Sequence, residues 1–126
     1  MTRTIFVTGT DTGIGKTRVA AALLHALVAR GFRCAAFKPV AAGADAIDSE
    51  SGAPRNSDAL ILQREASAGQ SYAQVNPVLL EAPIAPHIAA AKSGINITVG
   101  DLQQAAIDTQ ATCDYLVVEG AGGWLV

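Results

Sequence analysis

The chain has 126 residues, half of them hydrophobic and 16% charged, with a net charge of −2. This is one domain's length of ordinary globular composition, and residues 1–126 read as a single domain with no internal repeat or linker. No dense Lys/Arg cluster is present, which argues against a nucleic-acid partner held by phosphate neutralisation, and no apolar run approaches the ~20 residues that cross a bilayer, which argues against a membrane partner.

In chain order, residues 4–8 (TIFVT) predict a short buried strand. A glycine-rich turn follows, then a run from about Lys16 to Arg30. Its apolar residues Val19, Ala20, Leu23, Leu24, Leu27 and Val28 fall four apart in pairs, one face of a helix. Arg30 and Gly31 suit its end, a cation in the last turn and then a glycine able to take positive φ. Residues 32–38 (FRCAAFK) predict a second strand, which makes a βαβ unit and therefore a parallel sheet with a right-handed crossover. Residues 41–56 read as a long loop, and Ser57 as the cap of a helix over 58–66. The three prolines of NPVLLEAPIAP argue against regular structure throughout. Pro86 suits the first position of a helix running to Ser93 and stopped by Gly94. Thr98 and Asp101 form a Thr-x-x-Asp helix start, so 99–111 is predicted helical. Residues 114–120 (DYLVVEG) have a strong buried-strand pattern, and a flexible turn follows.

The N-terminal apolar run stops at Gly9, without the longer core and cleavage site of a secretory signal. A cytoplasmic location is the expectation. Cys34 and Cys113 fit no metal spacing and read as buried thiols. Asn96-Ile97-Thr98 matches a glycosylation sequon, read as accidental without secretion.

The stretch GTDTGIGKT, Gly9 to Thr17, sits between a buried strand and an amphipathic helix. A phosphate-binding loop needs that context, although the usual G-x-x-x-x-G-K-[ST] would place its first glycine at position 10. Successive backbone N–H groups there would face an anion, and the helix N-terminus adds partial positive charge. Lys16 could reach the β- and γ-phosphates, and the Thr17 hydroxyl could ligate Mg²⁺. The strand YLVVE ends in an acid, Glu119, where the metal-side strand of such proteins usually ends in Asp. The turn Gly120–Gly123 could add a second anion nest, or be a plain turn.

Five blocks in order, GTDTGIGKT, KPVAAG (38–43), RNSDA (55–59), VNP…APHIAA (75–90) and VEGAGGW (118–124), closely resemble the dethiobiotin synthetases. The resemblance runs from Phe6 to the last residue. In that family the phosphate loop has five residues between its glycines, so the early Gly9 becomes a match. The resemblance implies an α/β fold, a P-loop NTPase-type parallel sheet flanked by helices, truncated here after the second nucleotide-binding strand. It also implies a cyclo-ligase reaction: 7,8-diaminopelargonic acid, CO₂ (or bicarbonate) and ATP with Mg²⁺ give dethiobiotin, ADP and phosphate, with a homodimer as the working form. An amine captures CO₂ as a carbamate, ATP phosphorylates it, and the second amine closes the cyclic urea.

Carried over by position, Lys38, Lys16 and Thr12 are the implied catalytic residues. Gly13, Ile14, Gly15, Lys16, Thr17, Arg18, Asp58, Glu119, Gly120, Ala121 and Gly122 would hold the nucleotide. Thr17, Asp58 and Glu119 would hold Mg²⁺, and Thr12 and Ala42 would line the substrate site. Read without the resemblance, Lys38 is a solvated strand-end lysine and Asp58 an acid stabilising a helix start. Ala42 stands where relatives commonly carry a hydroxyl residue, so that hydrogen bond to substrate is missing. Gly13 replaces an acid found in some relatives. The family continues well beyond GAGGW with its adenine pocket and part of its dimer-related substrate site, so a protein of these 126 residues alone is expected to be impaired. A partition-type ATPase switch is the alternative, but its K-G-G-x-G-K-T loop needs a lysine where Asp11 stands. An inert fragment is the third reading. His25 reads as solvated, His87 as part of a helix start and Trp124 as core.

Overall fold

The computed structural model describes residues 2–8, 14–80 and 98–120. Three strands, β1 (Arg3–Val7), β2 (Cys34–Phe37) and β7 (Tyr115–Glu119), form a parallel sheet in the order β1–β7–β2. The last described strand in sequence therefore lies between β1 and β2. This central position explains its composition: YLVVE is buried from Leu116 to Glu119, as a strand covered on both faces must be. The register pairs Val7 with Glu119 on one side and Phe37 with Val118 on the other.

Helix α1 (Ile14–Ala29) follows β1 and covers one face. Its Ala20 and Leu24 are fully buried, joined by Val7, Cys34, Ala36 and Val117 from the strands and Leu62 from the next helix. Each such leucine contributes roughly 1.5–3 kcal/mol through the apolar surface it removes from water. Leu23, Leu27 and Val28 pack beside them, whereas Val19, placed on the same stripe by its spacing, is 54% exposed. The helix ends at Gly31, whose φ is +91°. The Gly31 N–H donates to Val28 O (3.0 Å) and the Phe32 N–H to Leu27 O (3.2 Å), the paired bonds of a Schellman cap. Phe32 then meets the Tyr115 ring edge-on, 5.0 Å between centroids.

The opposite face is smaller. Ala35, Phe37, Leu116 and Val118 pack there against Ala105 and Ala106 of α4 (Val99–Gln110). Thr98 caps that helix by accepting the Asp101 N–H, as its spacing predicts.

Residues 41–56 depart from the expected plain loop. They contain β3 (Val40–Ala42), β4 (Ala46–Ile47) and β5 (Pro54–Arg55). β4 and β5 pair antiparallel, and β3 pairs in parallel with β6 (Val78–Leu80), inside the proline-rich stretch. A parallel partner distant in sequence leaves no local turn signal, so the pairing is invisible in composition. Helix α2 (Ser57–Glu65) is capped by Asn56 rather than Ser57: Asn56 Oδ1 accepts the Ala59 N–H at 3.1 Å. Ser57 is already inside the helix, and its N–H and hydroxyl both bind Asp45, at 2.8 and 2.7 Å. Partial burial raises the affinity of the Asp45 carboxyl for a proton, but these Ser57 bonds outweigh it and hold the carboxyl below its usual range. A short helix α3 (Tyr72–Val75) opens on a capping box formed by Ser71 and Gln74. The expected helix from Pro86 to Ser93, His87 and Trp124 lie outside the described residues.

Candidate functional site

Strand periodicity builds the site. Along β7, Val117 faces α1 while Leu116 and Val118 face α4. Two residues beyond Val117, Glu119 returns to the α1 face. Along β2, Cys34 and Ala36 share that face, and Lys38 follows two residues later. Since Phe37 pairs with Val118, the next step along the ladder sets Lys38 beside Glu119. Thr17, at the end of the first turn of α1, comes down onto the same place.

The result is a buried three-membered cluster. Thr17 Oγ1 donates to Glu119 Oε1 at 2.6 Å, and Lys38 Nζ donates to Glu119 Oε2 at 3.2 Å. Thr17 and Glu119 are each 1% exposed and Lys38 is 6% exposed. The solvated lysine that a strand end suggests is therefore a buried ammonium, charge-paired with the strand-end acid. Desolvating two charges is costly, and an ion pair here repays it only through close geometry and added bonds such as that from Thr17. Charge placed at such cost beside a helix N-terminus is what a site for an anion and its counter-ion requires. Lys16 Nζ lies 3.5 Å from the Gly120 carbonyl, so the Lys16 side chain spans from α1 to the residue that follows β7.

Asp58 lies half-buried in the first turn of α2. The described hydrogen bonds join Thr17, Lys38 and Glu119 but do not extend to Asp58. Ala42 is half-buried in β3, paired with Leu80. Gly15 and Arg18 are exposed in the first turns of α1, and Ile14 begins it. Gly9, Thr12, Gly13, Ala121 and Gly122 lie outside the described residues.

The oxygens of Thr17 and Glu119 are hard donors, suited to a small hard cation. Among the described residues no three His, Cys, Asp or Glu side chains converge as a metal cluster. Magnesium beside a phosphate needs no such cluster, because one or two carboxylates suffice when phosphate oxygens and waters complete the shell. The donor set therefore fits.

His25 is exposed, as expected, with Nδ1 3.4 Å from Glu65 Oε2. Cys34 is buried and Cys113 half-buried, and burial pushes both thiols up. No described helix is long and apolar enough to cross a membrane. Asn56, Tyr72 and Asn76, singled out by no motif, form a hydrogen-bonded chain next to Lys38, with both asparagines buried. Asn before Ser-Asp in RNSDA and Asn before Pro in VNP were the available signals, but neither reveals a partner distant in sequence.

Known proteins resemble the chain over nearly its whole length. The chain is 48% identical over 122 residues to an ATP-dependent dethiobiotin synthetase of Pseudomonas paraeruginosa, covering 96% of this chain and 52% of that protein. It is 44% identical over 125 residues to that of Baumannia cicadellinicola, 98% and 54% of the two lengths. The protein of the same name from Vibrio vulnificus is 43% identical over the whole chain and 54% of its own length. The chain thus spans about half the length of these relatives. The sequence model of a family described as an AAA domain matches residues 3–126, nearly the whole chain, and the chain belongs to that family.

Proposed function

We propose that this chain is the phosphate- and metal-binding part of an ATP- and Mg²⁺-dependent dethiobiotin synthetase, which joins 7,8-diaminopelargonic acid and CO₂ into a cyclic urea. The observation that carries the reading is the buried Thr17–Glu119–Lys38 cluster at the carboxyl ends of the strands. The relatives' names supply the substrate class.

In this reading Thr17, Glu119 and Asp58 are the ligands for Mg²⁺, which when bound neutralises phosphate charge. Gly13, Ile14, Gly15, Arg18, Gly120, Ala121 and Gly122 surround the phosphates, with backbone N–H groups as donors. Lys16 stabilises the transferring phosphoryl group. Lys38 presents a fixed positive charge to the substrate carbamate. Its ammonium has three protons, and Glu119 takes one of them, so donors remain for an anion. The buried surroundings keep that charge from being screened by water. Thr12 and Ala42 line the substrate side. Phosphoryl transfer demands positioning and charge neutralisation more than covalent chemistry, and a cluster fixed by two strands and a helix supplies both. The working form is a cytoplasmic homodimer.

The test is to incubate the purified protein with the diamine, bicarbonate, Mg²⁺ and ATP, and to follow dethiobiotin and ADP. One ADP per dethiobiotin is expected. Lys38→Ala and Lys38→Gln should abolish product while largely keeping ATP binding. ATP turnover that ignores the diamine, or unchanged turnover in both variants, would refute the reading.

A further inference from the structure

Lys38 occupies an unusual place in the chain. β2 stops pairing with β7 at Phe37, and β3 begins pairing with β6 at Val40. Neither ladder holds residue 38. Its backbone is held instead by the segment after α3. The Lys38 N–H donates to Val75 O at 2.8 Å, and the Lys38 carbonyl accepts from Asn76 Nδ2 at 2.9 Å. The same Nδ2 donates to Val78 O at 2.9 Å.

Asn76 is 3% exposed and is itself held by Tyr72. The Tyr72 hydroxyl donates to Asn76 Oδ1 at 2.8 Å and accepts the Asn56 N–H at 2.8 Å. The direction of this chain is forced. A backbone N–H can only donate, so the hydroxyl oxygen accepts from Asn56 and its proton goes to Asn76 Oδ1. The amide of Asn76 then has one orientation, with Nδ2 toward the Lys38 carbonyl. At the other end, Asn56 caps α2, whose first turn bears Asp58, and its Nδ2 donates to Gly43 O at 2.8 Å. One phenol thus links the support of Lys38 to the support of the helix start bearing Asp58. Apolar packing would fill this corner without the cost of burying two amides, but it would not impose a single arrangement.

We infer that Tyr72 and Asn76 are positioning residues: they fix the Lys38 ammonium against Glu119 and couple it, through the Tyr72 hydroxyl, to the start of α2. The kinetic part rests on the function proposed above; the geometric part does not.

Both parts can be measured. Lys16, Lys38 and Lys92 are the only lysines in the chain, so ¹⁵N–¹H ammonium spectra at low temperature are simple. Burial against Glu119 slows proton exchange at Lys38, and Lys38→Met assigns its signal by deletion. Tyr72→Phe keeps the ring, and with it the stacking of Arg55 4.4 Å from the ring centre. It should broaden or shift the Lys38 signal. Asn76→Asp keeps an acceptor for Tyr72 but turns an oxygen toward the Lys38 carbonyl, and it should remove the signal. In the active protein, Tyr72→Phe should lower kcat about tenfold, with KM for ATP and diamine within about twofold, as for small misplacements of a reacting group. Residues that only fill space would lower Tm and leave both readouts alone. A Lys38 signal unmoved in both variants, no Lys38 signal in the wild type, or an unchanged kcat in active Tyr72→Phe overturns the inference. If the wild type neither binds ATP nor makes dethiobiotin, the proposed function fails, and the Lys38 signal still decides the positioning role.

Discussion

The two ends of the central sheet use polar residues in opposite ways. At the amino ends of the strands, the polar side chains reach backbone groups near solvent. Arg33 Nε and one terminal nitrogen donate to the carbonyls of Thr112 (2.6 Å) and Ala68 (2.8 Å). Asp114 accepts the Arg33 N–H at 2.8 Å, and Thr2 Oγ1 lies 2.7 and 2.8 Å from the carbonyls of Gln110 and Cys113. These contacts tie loops down. At the carboxyl ends, Lys38, Glu119 and Thr17 bind one another in the interior. A fold seeking only stability has little reason to bury a charge pair where apolar residues would fit. The two ends therefore differ in what their polar groups face: backbone near solvent at one, each other in the interior at the other.

The largest expected effect tests the buried end. Glu119→Ala leaves the Lys38 ammonium buried without its partner, and urea unfolding should show a loss of about 3–5 kcal/mol. A loss below about 1 kcal/mol would mean that the pair is effectively solvated, and the contrast between the ends would collapse. Next is the cap of α2. Asn56→Ala removes both the Ala59 and the Gly43 bond and should cost about 1–2 kcal/mol. Ser57→Ala, which loses only the hydroxyl bond to exposed Asp45, should cost less. The reverse order would return the cap to Ser57.

The amino end should respond more weakly. Arg33→Ala is expected to cost about 1 kcal/mol, because its bonds lie near solvent, and, on the proposed function, to leave dethiobiotin formation unchanged. Lost activity would mean that the two ends are coupled. The smallest effect is alkaline. Burial pushes the Cys34 thiol above its usual value of 9.0, with the nearby Cys113 and Asp114 adding to the shift. A group whose folded pKa is raised stabilises the fold fully below its unfolded pKa, and that contribution is lost as pH rises above it. Tm should therefore fall as pH rises above about 9, and fall less steeply in Cys34→Ala. Equal slopes would place that titration elsewhere.

Much of the site was legible because it depends on local order. Lys16 and Thr17 follow a glycine-rich stretch at the start of a helix, and Glu119 ends an apolar strand. The burial of Lys38 was not legible. Periodicity puts it on the α1 face only if β2 lies beside β7, and chain order gives no hint that the last described strand inserts between the first two. The cap of α2 was misread by one residue, because Ser57 and Asn56 are both good caps and only the distant Asp45 withdraws Ser57 from the role. The β3–β6 pairing was missed because its strands are three residues long and thirty-five residues apart.

The sequence by itself determined β1 and α1 with its Gly-Lys-Thr, the acid-ended strand, the Schellman end of α1 and the Thr98 cap of α4. Each is set by steric limits and hydrogen bonds within a few residues. The tertiary structure decided which charges meet. Insertion of β7 between β1 and β2 brings Glu119 to Lys38, and the Tyr72–Asn76 chain holds Lys38 where no strand ladder does. Both depend on contacts between residues far apart in sequence, which local propensity cannot encode.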